Sequence, residues 1–137
     1  MFYQHTYIDN TVIPHPAGKV VCIGRNYVEH IRELNNPLPD RPLLFIKPST
    51  ALVALTQPLR LPTHGQRCHH ELEVAVLIGA TLSQATVAEV EENVVGYALA
   101  LDLTLRDVQE ELKAKGHPWE LAKAFDNACP ISPFVPA

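Results

Sequence analysis

The sequence predicts an α+β fold in which strands predominate, and three observations carry that expectation. Twelve prolines spread over 137 residues suit many short strands and turns, not long helices. Apolar runs such as 43–46 and 74–78 are short and rich in Val, Ile, Leu and Phe, as buried strands are. Two longer stretches, 69–79 and 97–105, alternate between two kinds of side chain with a period of two.

Composition sets the outer limits. A hydrophobic content of 47% and a charged content of 19% place the chain among globular proteins, with length enough for one ordinary domain. A net charge of −4 without a basic run argues against nucleic acid as a partner. No apolar run is long enough to span a bilayer, and the N-terminus lacks the regions of a signal peptide, so no membrane partner is expected. Cys22, Cys68 and Cys129 are odd in number and scattered, which fits neither a disulfide framework nor a zinc site and points to a reducing cytoplasm.

Taken in order, residues 1–18 are punctuated by Pro14, Pro16 and Gly18 and read as a β-like arm and loop ahead of the body at 19–137. Residues 19–24 form a short strand stopped by Gly24. Asn26 is a good N-cap, Glu29 completes a capping-box pattern, and Asn35, Asn36 and Pro37 end the helix between them. His30 and Glu33 would then share one face of that helix. A carboxylate beside an imidazole raises its basicity, as a general base needs, although a surface His–Glu pair satisfies the same spacing. Residues 42–48 read as a strand ending in a lysine, and 52–61 as an irregular β segment broken by Pro58. Thr86 opens a short helix to about Asn93 with Glu89 three residues on. Asp107, again followed three residues later by Glu110, reads as the start of a helix that Gly116 stops. The remainder reads as a loop-rich tail anchored by Trp119, Leu121 and Phe125.

The two alternating stretches carry the chemistry. In HHELEVAVLIG, Glu71 and Glu73 point one way, while Leu72, Val74, Val76 and Ile78 line the other face. In the second, Leu99, Leu101, Leu103 and Leu105 share a face, and Asp102 sits opposite among Ala98, Ala100 and Thr104. The apolar faces are expected to be buried, leaving three carboxylates around one pocket. Carboxylates so gathered repel unless a cation lies between them, and oxygen ligands suit Mg²⁺, Mn²⁺ or Ca²⁺. A Glu-x-Glu strand on the solvated face of a half-covered sheet satisfies the same pattern.

The stretches GRNYVEHIREL, PLLFIKPSTAL, HHELEVAVLIG, GYALALDLTLRDVQ and HPWELAKAFDNACPISPF, in that order, resemble the fumarylacetoacetate hydrolase family. The resemblance covers nearly the whole chain from Lys19 and is nearest to the small acylpyruvase and oxaloacetate decarboxylase branch. It implies a mixed β-roll and a homodimer. It implies Mg²⁺ or Mn²⁺ held by Glu71, Glu73 and Asp102, with His30 and Glu33 as a dyad that positions and activates water. Lys123 matches the lysine that faces the substrate, and Arg106 and Gln109 match residues that grip its carboxylate or shape the pocket. Arg25 falls in the matching G-R-N-Y stretch. The implied reaction is metal-dependent hydrolysis of a C–C bond in a small acylpyruvate, a 2-keto acid. The same site would also serve oxaloacetate decarboxylation or a 2-hydroxymuconate-type isomerisation, and a catalytically silent metal-binding module remains an alternative. Members of the family continue for roughly another half-domain, so the roll is expected to be incomplete in this chain.

Overall fold

The computed structural model describes residues 3–27 and 40–137. Two sheets and a few short helices make up the described fold. Strands β1 (Val20–Gly24) and β2 (Leu43–Lys47) pair antiparallel, with Val20 opposite Lys47 and Gly24 opposite Leu43. A 3-10 turn at Ser49–Ala51 leads into β3 (Leu52–Ala54). The long pair β4 (Cys68–Ile78) and β5 (Val94–Leu105) runs antiparallel, joined through α1 (Val87–Glu92). Helices α2 (Arg106–Lys115) and α3 (Glu120–Lys123) follow, then β6 (Cys129–Ile131) and β7 (Val135–Pro136). The larger sheet has the order β3-β6-β5-β4, and β7 adds to β5. Its β3–β6 pair is parallel and the rest antiparallel, so the sheet is mixed.

Local signals act as their chemistry requires. Thr86 and Glu89 form a reciprocal capping box at the start of α1. Gly116 closes α2 in the left-handed conformation, φ 66°, which glycine adopts without strain. At Gly96 a Cβ would stand 2.5 Å from the Val135 carbonyl oxygen, so only glycine lets β7 approach β5. In the arm, Thr6 bridges Val12 and Tyr7 bridges Phe134.

Several expectations are corrected. Asp107 does not cap α2: the helix begins at Arg106 without a side-chain cap, and the Asp107 carboxylate accepts hydrogen bonds from the Gln66 and Arg67 amides. The tail carries α3, β6 and β7, and Leu121 is exposed rather than an anchor, whereas Phe125 packs on the core and Trp119 tilts against Phe45. The helix expected after Asn26, with His30 and Glu33, falls on residues 28–39, outside the described residues.

The largest correction concerns which sheet face is covered. Leu72, Val74 and Val76 are 63%, 61% and 50% exposed, and Leu99 opposite them is 50% exposed. Ala98, Ala100, Asp102 and Thr104 are buried instead. The alanines lie in a core with Ile13, Leu52, Ile131 and Phe134. Small residues let these layers pack closely against the strands. The carboxylates of β4 and β5 therefore face the protein interior, and the apolar face looks outward at Leu72, Val74, Val76 and Leu99, whereas Leu103 and Leu105 at the far end of β5 are buried as expected.

Candidate active site

The β4–β5 register brings the acidic residues together. Glu71 lies directly opposite Asp102, and Glu73 opposite Ala100 on the same face. Opposed positions on one face of an antiparallel pair are within side-chain reach. The next residues in both directions complete the site. Thr104 follows on the Asp102 face of β5, and the strand then turns directly into α2, whose first residue is Arg106.

Three cations meet these carboxylates. The Lys123 ammonium donates to Asp102 Oδ2 at 2.6 Å, Glu71 Oε2 at 2.9 Å and Thr104 Oγ1 at 2.5 Å, and lies 5.0 Å from the centre of the Phe45 ring. Arg106 pairs with Glu71 Oε1 through one terminal nitrogen and donates to the Gln109 side-chain carbonyl through the other. Its Nε donates to His69 Nδ1 at 3.3 Å, which fixes the plane of the guanidinium. Lys47, a residue with no exposed surface, places Nζ 2.9 Å from Asp102 Oδ1. That ammonium is near but poorly aligned, so the buried Oδ1 has no properly directed hydrogen bond.

The electrostatics differ from one carboxylate to the next. Burial pushes the Glu71 carboxyl upward, but Lys123 and Arg106 outweigh it and hold the group below its ordinary range. Glu73 moves the other way. Burial raises it, the Tyr27 hydroxyl offsets this in part, and the charges of Asp102 and Glu71 raise it further. Glu73 is thus short of positive charge.

Arg25 leaves β1 in a left-handed conformation, φ 55°, and lines the same cleft as Arg106, Gln109 and Lys113. Burial lowers the Lys113 ammonium, and the charges of Arg25 and Arg106 lower it further, so the three form one basic rim. Phe45 and Trp119 supply an aromatic wall. Such a cleft suits a small organic anion.

Among the described residues, no three acidic, histidine or cysteine side chains are gathered around one point as ready-made metal ligands. The ammonium of Lys123 fills the space between Glu71 and Asp102. The donor set nevertheless fits a hard divalent cation. It is all carboxylate, burial and the charges of Asp102 and Glu71 outweigh what Tyr27 and Lys123 offer Glu73, and Asp102 Oδ1 lacks a directed hydrogen bond.

Of the residues singled out in the sequence, Glu71, Asp102, Lys123, Arg106 and Gln109 are in one hydrogen-bonded cluster, with Glu73 beside it and Arg25 on the rim. His30 and Glu33 lie outside the described residues. Sequence reasoning missed Lys47, Thr104, His69 and Tyr27. Lys47 had a signal: strand alternation sets it on one face with Leu43 and Phe45, an inward phase for a lysine.

The model of the fumarylacetoacetate (FAA) hydrolase C-terminal family matches residues 19–137. The chain is 55% identical over 135 residues to the oxaloacetate tautomerase YcgM of Escherichia coli (strain K12), covering 98% of this chain and 62% of that protein. A crystal structure of a fumarylacetoacetate hydrolase family protein from Yersinia pestis CO92 superposes with a TM-score of 0.95 at 49% identity, over 98% of this chain and 62% of that one. The fumarylpyruvate hydrolase from Pseudomonas aeruginosa, solved in complex with Mn²⁺ and pyruvate, superposes at 0.90 with 36% identity, over 99% and 60%. This chain therefore spans about three fifths of the length of the proteins it matches. Among the described residues, no helix is long and apolar enough to cross a membrane. With mixed sheets, short helices and a family match over all but the N-terminal arm, the chain belongs to the fumarylacetoacetate hydrolase family.

Proposed function

We propose that the site acts on a small, enolisable 2-keto acid with a divalent cation, Mg²⁺ or Mn²⁺, and that oxaloacetate keto–enol tautomerisation is the first activity to test. The observation that carries this reading is the Lys123 ammonium seated between Glu71 and Asp102, under a basic rim. The 55% identical tautomerase supports the choice of substrate. The Mn²⁺- and pyruvate-bound neighbour supports the metal and the 2-keto acid class.

Glu71, Glu73 and Asp102 would hold the cation. When bound, it would supply Lewis acidity to a keto acid's oxygens. Arg106, held by His69 and Gln109, would pair with the substrate carboxylate, and Arg25 would add charge at the rim. The Lys123 side chain, held by two carboxylates and Thr104, would face negative charge developing on the substrate. Phe45 and Trp119 would exclude water from that side.

Hydrolysis of an acylpyruvate is the second reading, favoured by the 36% identical fumarylpyruvate hydrolase. It asks in addition for water activated by His30 with Glu33. One experiment separates the two. The protein is incubated in D₂O with oxaloacetate or acetylpyruvate, with Mn²⁺ or a chelator, and followed by NMR. Metal-dependent acceleration of deuterium entry at C3 of oxaloacetate, without pyruvate from acetylpyruvate, supports tautomerisation. Pyruvate and acetate from acetylpyruvate support hydrolysis. No metal-dependent change in either tube overturns both.

A further inference from the structure

Among the described residues, Lys47 is one of the largest side chains that are fully buried. An ammonium is costly to bury unless it is paired and its hydrogens are used. Here it donates to two main-chain carbonyls, those of Leu103 at 3.2 Å and Lys123, and Asp102 Oδ1 lies 2.9 Å away as an ion-pair partner. What keeps this lysine from a substrate is its place: it has no exposed surface and does not line the cleft, whereas Lys123 does. It is fixed at the last position of β2, opposite Val20, and the next residue starts the turn closed by the Ala51 amide on the Pro48 carbonyl.

Its three partners belong to the two elements that build the site. Asp102 and Leu103 lie on β5, and Lys123 ends α3. Helix α3 is a single turn of four residues, too short to be stable by itself, and so depends on tertiary anchors. Ala122 is buried but small, and Leu121 is 62% exposed, so little apolar burial holds the turn in place. Lys123 is thereby held at both ends. Lys47 takes its main-chain carbonyl, while Glu71, Asp102 and Thr104 take its ammonium. Asp102 is likewise gripped from both sides, by Lys47 at Oδ1 and Lys123 at Oδ2.

We propose that Lys47 is a positioning residue, a buried cation that clamps the main chain of α3 to β5 so that the Lys123 ammonium stays aimed into the cleft. It touches no substrate and acts through Lys123. The inference rests on the reading of Lys123 as the side chain that faces the substrate, but half of its test is independent of any activity.

The first measurement is amide hydrogen exchange in metal-free Lys47→Met, which keeps the length of the side chain and removes its donors. Exchange at Ala122, Lys123 and Ala124, whose amides close α3 on Trp119 and Glu120, is expected to speed up at least about tenfold relative to amides of the β4–β5 ladder. Uniform acceleration across the fold, or none at α3, overturns the clamp. If Lys47→Met does not fold, Lys47→Gln, which keeps one donor group, takes its place with a smaller shift of the same pattern.

The second is a double-mutant cycle on oxaloacetate turnover. Lys47→Met is expected to lower kcat by about tenfold or more with KM changed less than about threefold, and by no more than about twofold in a Lys123→Met background. Equal losses in both backgrounds show that Lys47 does not work through Lys123 and overturn the proposal. A wild-type protein inactive on every 2-keto acid sinks the proposed function and leaves the exchange experiment to decide on Lys47.

Discussion

Glu71 and Asp102 face each other across β4 and β5 and share one ammonium, that of Lys123, at 2.9 and 2.6 Å. Asp102 is the more deeply buried partner and also lies against Lys47. Removing it leaves two buried ammoniums where a carboxylate stood, whereas removing Glu71 leaves Lys123 its bond to Asp102. Breaking a buried ion pair from one side costs about 3–5 kcal/mol. Asp102→Ala should therefore destabilise the metal-free protein by an amount in that range and by more than Glu71→Ala, as read from urea denaturation midpoints. A loss under about 1 kcal/mol, or the reverse order, would show that the two lysines are not held by Asp102.

The place of Lys123 makes a second, signed prediction. Its ammonium neutralises two of the proposed ligands, so it competes with any divalent cation for them. Lys123→Met should bind Mn²⁺ at least as tightly as the wild type, while turnover falls by about 10²-fold or more through loss of the group that faces the substrate's developing charge. Titration of Mn²⁺ by electron paramagnetic resonance gives the affinity directly. Wild-type protein at about 100 times the Mn²⁺ dissociation constant should gain about 2.7 kcal/mol of stability, and chelator should remove the gain. A Mn²⁺ affinity weakened tenfold or more in Lys123→Met would mean that the lysine helps to build the metal site.

Much of this site was legible in the sequence, for a definite reason. Strand periodicity alone puts Glu71 and Glu73 on one face and sets Asp102 among small residues, and the structure keeps both arrangements. Which face would be covered was not legible. Periodicity says that two faces differ, but not which one meets the next layer, and here the alanines meet Ile13 and Phe134 while Leu72 and Val74 look outward. The sequence pattern at Asp107 was overridden because the Gln66 and Arg67 amides, forty residues away in the chain, take its carboxylate. Lys47 was lost for the same kind of reason. Its partners Asp102 and Lys123 are distant in sequence, and only the fold brings them to one point.

His5 supplies the pH dependence. Its ring is buried edge-on between Tyr3 and Phe134, with the Tyr3 hydroxyl 3.3 Å from Nδ1. Burial lowers its affinity for a proton, and the charge of nearby His15 lowers it further. Below the ordinary histidine value of 6.5 the unfolded chain takes up this proton before the folded one does. The contribution of His5 is therefore fully present above that value and is lost as the pH falls toward the folded value. Urea midpoints measured from pH 7.5 down to about 5 should fall in the wild type and fall less steeply in His5→Gln, the difference being due to this one ring. Parallel curves for the two proteins would refute the assignment.

The outward face of β4 and β5 bears on the homodimer, which remains a proposal. Leu72, Val74 and Val76 on one strand and Leu99 and Tyr97 on the other make a continuous apolar surface, and β4 is the edge of its sheet among the described strands. A contiguous apolar face of this kind is a site of association, and an open strand edge adds to the tendency. Two copies meeting through it would bury the valines and leucines that the monomer leaves in water. Sedimentation equilibrium should then give a mass twice that of the chain, and Val74→Lys, a charge at the centre of the face, should weaken association by at least about tenfold. The same substitution should leave Mn²⁺ binding intact, because Val74 points away from Glu71 and Glu73 on their own strand. A chain that sediments as a monomer at every concentration, or a dimer indifferent to Val74→Lys, would place the association elsewhere.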